Sequence, residues 1–92
     1  MGFFGSRKKK VTYKLVKDER AVYLGSTNNP YLRNKQHSYS NKNYDYLEVT
    51  SGRLLQEEAE RREARNLRSY KRAIGRRPKY NKTNNGRFNR WD

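Results

Sequence analysis

An α+β fold is predicted for this chain: a small three-stranded antiparallel sheet flanked by helices, in the order ββαβα. Three observations predict it. Val11, Tyr13 and Leu15 alternate with Thr12, Lys14 and Val16, which is the period of a strand. A second short β run, Ala21 to Gly25, follows after four charged residues, so the two should pair as an antiparallel hairpin. From Arg53 to Ile74 there is neither proline nor glycine, and Leu, Gln, Glu, Ala and Arg dominate, as in a long helix ending at Gly75.

The remaining elements fall between these. The turn is placed at Lys17-Asp18-Glu19-Arg20. Asn28 or Asn29 can cap a helix whose first turn takes Pro30, giving a short helix over 30–37. Ser38 to Asn43 reads as a polar loop, and Tyr44 to Thr50 returns to β character as the third strand. Residues 1–10 read as a flexible basic arm, 11–81 as the folded domain, and 82–92 as a basic, aromatic tail. There is no internal repeat.

Composition narrows the partners. Ninety-two residues suffice for one small domain with a lean core. The 23 Lys and Arg against nine Asp and Glu give a formal charge of +14, a field that draws polyanions, and nucleic acid is the default partner. Eight Tyr, three Phe and one Trp supply the apolar faces that an otherwise polar chain needs in order to close a core. With no cysteine and one histidine, disulfides, Cys-ligated zinc and His-rich zinc are excluded. No apolar run approaches a membrane span, and an intracellular location at DNA is expected. Met1 to Ser6 fits the loose myristoylation pattern with basic residues behind it, but so short a match does not carry a lipid anchor.

The long helix holds a carboxylate in an unexpected place. At about 100° per residue, Leu55, Ala59, Leu67, Tyr70 and Ile74 share one third of the circumference, and Glu63 falls in the same stripe. Arg61, Arg65, Arg68 and Arg72 gather on the opposite side, facing solvent or phosphates. A buried, lone carboxylate would cost several kcal/mol, so Glu63 needs a partner. A metal ion, an arginine or a tyrosine hydroxyl can each supply it. Alternatively, the side chain lies at the stripe's edge and swings out to solvent or pairs with an arginine such as Arg33. Arg33 and His37 are four apart on the short helix and share a face.

These residues resemble a known pattern. Val11-Thr12-Tyr13 stands where the GIY-YIG endonuclease family has its first triplet, and Tyr23-Leu24-Gly25 where it has the second. Gly25-Ser26-Thr27-Asn28-Asn29 continues in the family's manner, with Arg33 and His37 at its usual spacing. Ala59, Glu63 and Leu67 are similar to its small-residue, glutamate, aliphatic series, and Arg77-Pro78-Lys79-Tyr80-Asn81 to its closing segment. The resemblance covers residues 11–81. It departs in the first triplet, where Val11 and Thr12 replace glycine and isoleucine.

The resemblance implies a metal-dependent endonuclease that hydrolyses DNA phosphodiester bonds. Glu63 would be the ligand of Mg2+ (or Mn2+), a lone carboxylate suiting an ion that keeps several waters. Arg33 would fork onto phosphate oxygens. Tyr13 would be the general base with Tyr23 beside it, its pKa lowered by the metal and Arg33. His37 would bond a phosphate or tune the tyrosines, and Asn81 would donate to Glu63 or a phosphate. Lys35, Arg61, Arg65, Arg68, Arg77 and Lys79 join Arg33 as nucleic-acid contacts, and Arg87 to Trp91 in the tail offers cations with stacking surfaces. Selectivity would come from DNA structure, a targeting protein or a dimer mate. The alternative is a noncatalytic basic DNA- or RNA-binding protein.

The hairpin supplies a geometric condition. Tyr13 and Tyr23 share a sheet face only if paired residues have an even sum, which predicts an odd loop of three or five residues.

Overall fold

A computed structural model of the chain describes residues 9–81. Along it run strand β1 (Val11–Lys17), strand β2 (Arg20–Thr27), helix α1 (Pro30–Ser38), strand β3 (Tyr46–Val49) and helix α2 (Gln56–Ile74). The fold is α+β, with one antiparallel sheet in the order β2-β1-β3. The third strand is shorter at both ends than the sequence predicts, and the long helix is shorter at its start while ending at Ile74 as expected. The tail motif around Phe88 and Trp91 and most of the basic arm lie outside the described residues. Lys9 and Lys10 are attached to the domain: both backbone N–H groups donate to the Leu54 carbonyl, at 2.9 and 3.0 Å, and Leu54 donates back to Lys10.

The predicted odd hairpin loop is corrected. Lys17 pairs with Arg20, so the loop is the two residues Asp18 and Glu19, both at positive φ (52° and 65°), as a type I′ turn requires. Asp18 suits the first position of this turn, but Glu19 stands where it favours glycine. Asp45 compensates, accepting from the Asp18 backbone at 3.0 Å and from Lys17 Nζ at 3.3 Å. Those bonds hold the Asp45 carboxyl below the usual carboxylate range, the Asp18 N–H contributing most.

A bulge then restores the register. Val16 pairs with Ala21 but Leu15 pairs with Tyr23, which leaves Val22 as the extra residue. Beyond it Tyr13 pairs with Gly25, so the sums are even and Tyr13, Leu15 and Tyr23 share one face. The even-sum condition is met by an even loop plus one bulged residue. Those three side chains form the buried core cluster, with Val22, Tyr44, Leu47 and Tyr80 packed around it. Each contributes about 2–3 kcal/mol of hydrophobic stabilisation.

β1 is the central strand and is buried on both sides, Thr12 and Val16 as well as Tyr13 and Leu15. Asn29 caps α1, its Oδ1 accepting from Leu32 N–H at 3.1 Å, with Pro30 at the first position. In α2 the Glu58 carboxylate accepts from Leu55 N–H at 3.0 Å, and Gly75 (φ 94°) closes the C-terminus in the left-handed region. The inward stripe of α2 is narrower than its periodicity predicts. Ala59, Glu63 and Leu67 are buried, Leu55 and Tyr70 half-buried, and Ile74 is exposed, because the helix outruns the sheet beneath it.

Candidate active site

Gly25 is where the site begins. The Tyr13 ring lies across it so closely that a Cβ there would fall 2.7 Å from Tyr13 Oη and 2.8 Å from the Tyr23 ring. Only glycine leaves that space, which explains why the second strand carries an apolar run into a glycine. Tyr13 and Tyr23 stand with ring centroids 6.0 Å apart. One turn of α1 then sets His37 against both, at 5.8 and 5.1 Å between centroids, and Tyr44 meets the imidazole edge-on at 6.4 Å.

A polar contact inside this aromatic cluster joins Tyr13 Oη to His37 Nε2 at 2.7 Å. Both residues are almost wholly buried. Burial pushes the Tyr13 phenol well above its ordinary range, and the neighbouring Tyr23 and Glu63 push the same way, while the Arg33 guanidinium opposes them. Arg33 by itself does not lower the Tyr13 phenol, because desolvation outweighs it. A protonated Tyr13 can donate to a neutral imidazole at Nε2.

Glu63 points inward and is 4 % exposed, as its place in the apolar stripe predicts. Its partner was not among those weighed from sequence. Ser26 Oγ donates to Glu63 Oε1 at 2.7 Å. Burial raises the Glu63 carboxyl, and the Ser26 bond and the charges of Lys10 and Arg33 only partly offset this. Arg33 thus acts electrostatically on both Tyr13 and Glu63, which ties α1, β1 and α2 into one site. Half-exposed Lys10, Ser26, Arg33 and Lys42 form its rim, with Lys42 Nζ 5.5 Å from the Tyr23 ring centre.

Asn81 is not in that group. Its Oδ1 accepts from Leu24 N–H at 2.9 Å and its Nδ2 donates to the Leu24 carbonyl at 3.0 Å, so the side-chain amide pairs with the free edge of β2 as a strand would. The Tyr80 N–H adds a bond of 2.8 Å to the carbonyl of the bulged Val22. The expected donation from Asn81 to Glu63 or a phosphate is therefore corrected to a positioning role behind Tyr23. One Nδ2 proton and one Oδ1 lone pair are engaged by the backbone they hold.

The expected phosphate contacts scatter. Lys35 is exposed on α1 with Nζ 5.7 Å from the Tyr31 ring centre. Arg77 and Lys79 line a concavity of about 930 Å³ beside the hairpin turn, with Arg20, Tyr70 and Ile74. Arg61, Arg65 and Arg68 are exposed on the outer side of α2, away from Glu63.

Sequence reasoning left Ser26, Lys10 and Lys42 out of the site residues and gave Gly25 only the end of the second strand, which in fact runs on to Thr27. Ser26 carried a signal, being the first hydroxyl after the glycine. Lys10 and Lys42 come close only through tertiary folding. Among the described residues no three His, Asp or Glu side chains gather into a metal-binding group. No helix among them is long and apolar enough to cross a membrane. No protein-family model, curated protein or solved structure matches the chain.

Proposed function

We propose that the chain is a metal-dependent endonuclease of GIY-YIG type that hydrolyses DNA phosphodiester bonds. The observation that carries this reading is the Tyr13–His37 hydrogen bond set beside a buried carboxylate within reach of an arginine. A structural core has no use for a buried Glu63 whose carboxyl is strained upward by desolvation, and such strain is a mark of functional sites.

The donor set fits one kind of ion. A single carboxylate with a hydroxyl at one oxygen suits Mg2+ or Mn2+, which take oxygen ligands and keep much of their water shell. Glu63 would hold it, and when bound it supplies charge to a non-bridging phosphate oxygen and to the leaving oxygen.

The chain's own groups account for the remainder. Arg33 forks onto the phosphate oxygens, which gain charge in the transition state, so the contact strengthens as reaction proceeds. A water held at the tyrosines gives a proton to Tyr13 Oη as the Tyr13 proton passes to His37 Nε2. The resulting hydroxide oxygen bonds to phosphorus while the bond to the 3′ oxygen breaks. The relay lets a phenol of raised pKa take part, because Tyr13 never has to stand as a phenolate. His37 is the final proton acceptor. Tyr23 orients the water, and Asn81 holds the strand that carries Tyr23.

Nicking of supercoiled plasmid tests the proposal, with Mg2+, with EDTA, and with Glu63→Ala. Cleavage that disappears in both controls supports it. Tight DNA binding without cleavage in any condition would instead favour a noncatalytic nucleic-acid-binding protein, and cleavage surviving in Glu63→Ala would place the metal elsewhere.

A further inference from the structure

Four arginines run along the outer side of α2. Taking Glu63 as the inward direction, Arg61, Arg65, Arg68 and Arg72 fall within about 60° of arc centred roughly 170° away, at about 100° per residue. All four are exposed. From first to last they span about 16 Å of helix.

Among the described residues no ion pair reaches them. The ion pairs there join Lys14 to Glu48 and Lys17 to Asp45, both on the sheet. A shallow groove of about 430 Å³ is lined by Arg61, Arg62, Arg65 and Arg68 with Leu54 and Glu58. Its one carboxylate, Glu58, is engaged by the Leu55 N–H at the helix start. Arg61 with Arg65, and Arg68 with Arg72, are like charges one turn apart, an arrangement that costs a helix about 0.2–0.5 kcal/mol per pair. A polyanion reverses that cost.

We propose that this outer face of α2 is a second binding site for a DNA phosphate backbone, distinct from the site at Glu63. Guanidinium forks match phosphate oxygens in pairs, and a row about 16 Å long spans roughly five nucleotides of one strand at 3.4 Å each. The face offers no aromatic anchor of the kind that holds a protein partner. One duplex cannot serve both sites. Glu63 and the arginines lie on opposite sides of a helix about 10–12 Å thick, and DNA with a persistence length of about 50 nm does not fold round it within a few base pairs. The occupant is a second segment, so one domain bridges two stretches of DNA. That consequence, though not the arginine site itself, rests on placing DNA at Glu63.

The test removes chemistry. Glu63→Ala protein in EDTA, bound to a biotinylated duplex on beads, is offered a second, fluorescent duplex at low salt. Capture of the second duplex is expected. Replacing Arg61, Arg65, Arg68 and Arg72 together by Gln, a good helix former, should reduce capture at least tenfold while the first duplex stays bound. The salt slope of total DNA binding should fall by about 3–4 in the same variant. The milder pair Arg65→Gln with Arg68→Gln should lower the slope by about 2, which keeps the test open if the fourfold variant folds poorly. A slope that falls in the variants without any second duplex captured by the parent protein keeps the arginine site and overturns the placing of DNA at Glu63, whereas a slope unchanged in the variants overturns the arginine site. So does undiminished capture by the variants, since bridging by a dimer of single-site molecules would survive them. Plasmid nicking plays no part in this readout, so loss of the nuclease reading and loss of the second site are told apart.

Discussion

Tyr13 Oη lies 2.7 Å from His37 Nε2, and the two groups come from elements 24 residues apart that meet only because Gly25 has no side chain. Burial holds the phenol proton on Tyr13, and the imidazole beside it gives that proton somewhere to go.

Tyr13→Phe should therefore keep the ring and lose the relay. Nicking should fall by about 10²–10⁴-fold, the usual worth of general acid–base assistance, with DNA affinity and folding intact. His37→Gln should lose a similar factor. Rates measured from pH 5 to 9 for each protein check both.

Gly25→Ala places a Cβ 2.7 Å from Tyr13 Oη, a collision with rigid groups on a packed strand. Overpacking of this kind costs about 1–3 kcal/mol. The midpoint of denaturant unfolding should drop accordingly, and cleavage should be lost in the fraction that remains folded, because Tyr13 is displaced from His37.

Glu63→Gln should make the protein more stable at pH 7. Burial raises the Glu63 carboxyl in the folded state above its ordinary value of 4.5. The native state therefore binds the proton more tightly than the unfolded chain, and stability falls as pH rises through that window. Gln removes the penalty and can still accept from Ser26. Thermal midpoints should favour the variant at neutral pH, and the difference should close as pH falls below the ordinary range, while nicking is abolished throughout.

Asn81→Ala should weaken the fold through β2. Leu24 would lose partners for both its N–H and its carbonyl in a buried setting, at about 1–3 kcal/mol for each group left unsatisfied. Because Asn81 touches the strand and not the reacting atoms, kcat should fall with little change in the concentration of DNA needed for half-maximal rate. Asn81→Asp, which keeps the acceptor and loses the donor, should fall between.

The sequence made the element order readable because its signals were local: alternation in β1, Asn29 before Pro30, and an unbroken helical run into Gly75. The inward direction of Glu63 was readable for the same reason, since it follows from helical period alone. The hairpin was harder. Asp18-Glu19 lacks the glycine that advertises a type I′ turn, and the Val22 bulge is invisible until the register is known, so the right condition led to the wrong loop length. The chemistry was misjudged where it depended on burial. The charge of Arg33 was visible near Tyr13, but the desolvation that outweighs it comes from packing that only the folded chain shows. Asn81 was placed by its position in a motif, yet its partners belong to a strand edge 57 residues away.

The most direct test of the central claim is cleavage of an end-labelled DNA duplex at excess protein with Mg2+, run in water enriched in ¹⁸O, with the new ends identified. The account predicts one cut strand end bearing a 5′ phosphate with a single ¹⁸O and a 3′ hydroxyl on its neighbour, in wild type and not in Tyr13→Phe. Intact duplex at saturating protein, or cleavage undiminished in Tyr13→Phe, would contradict it.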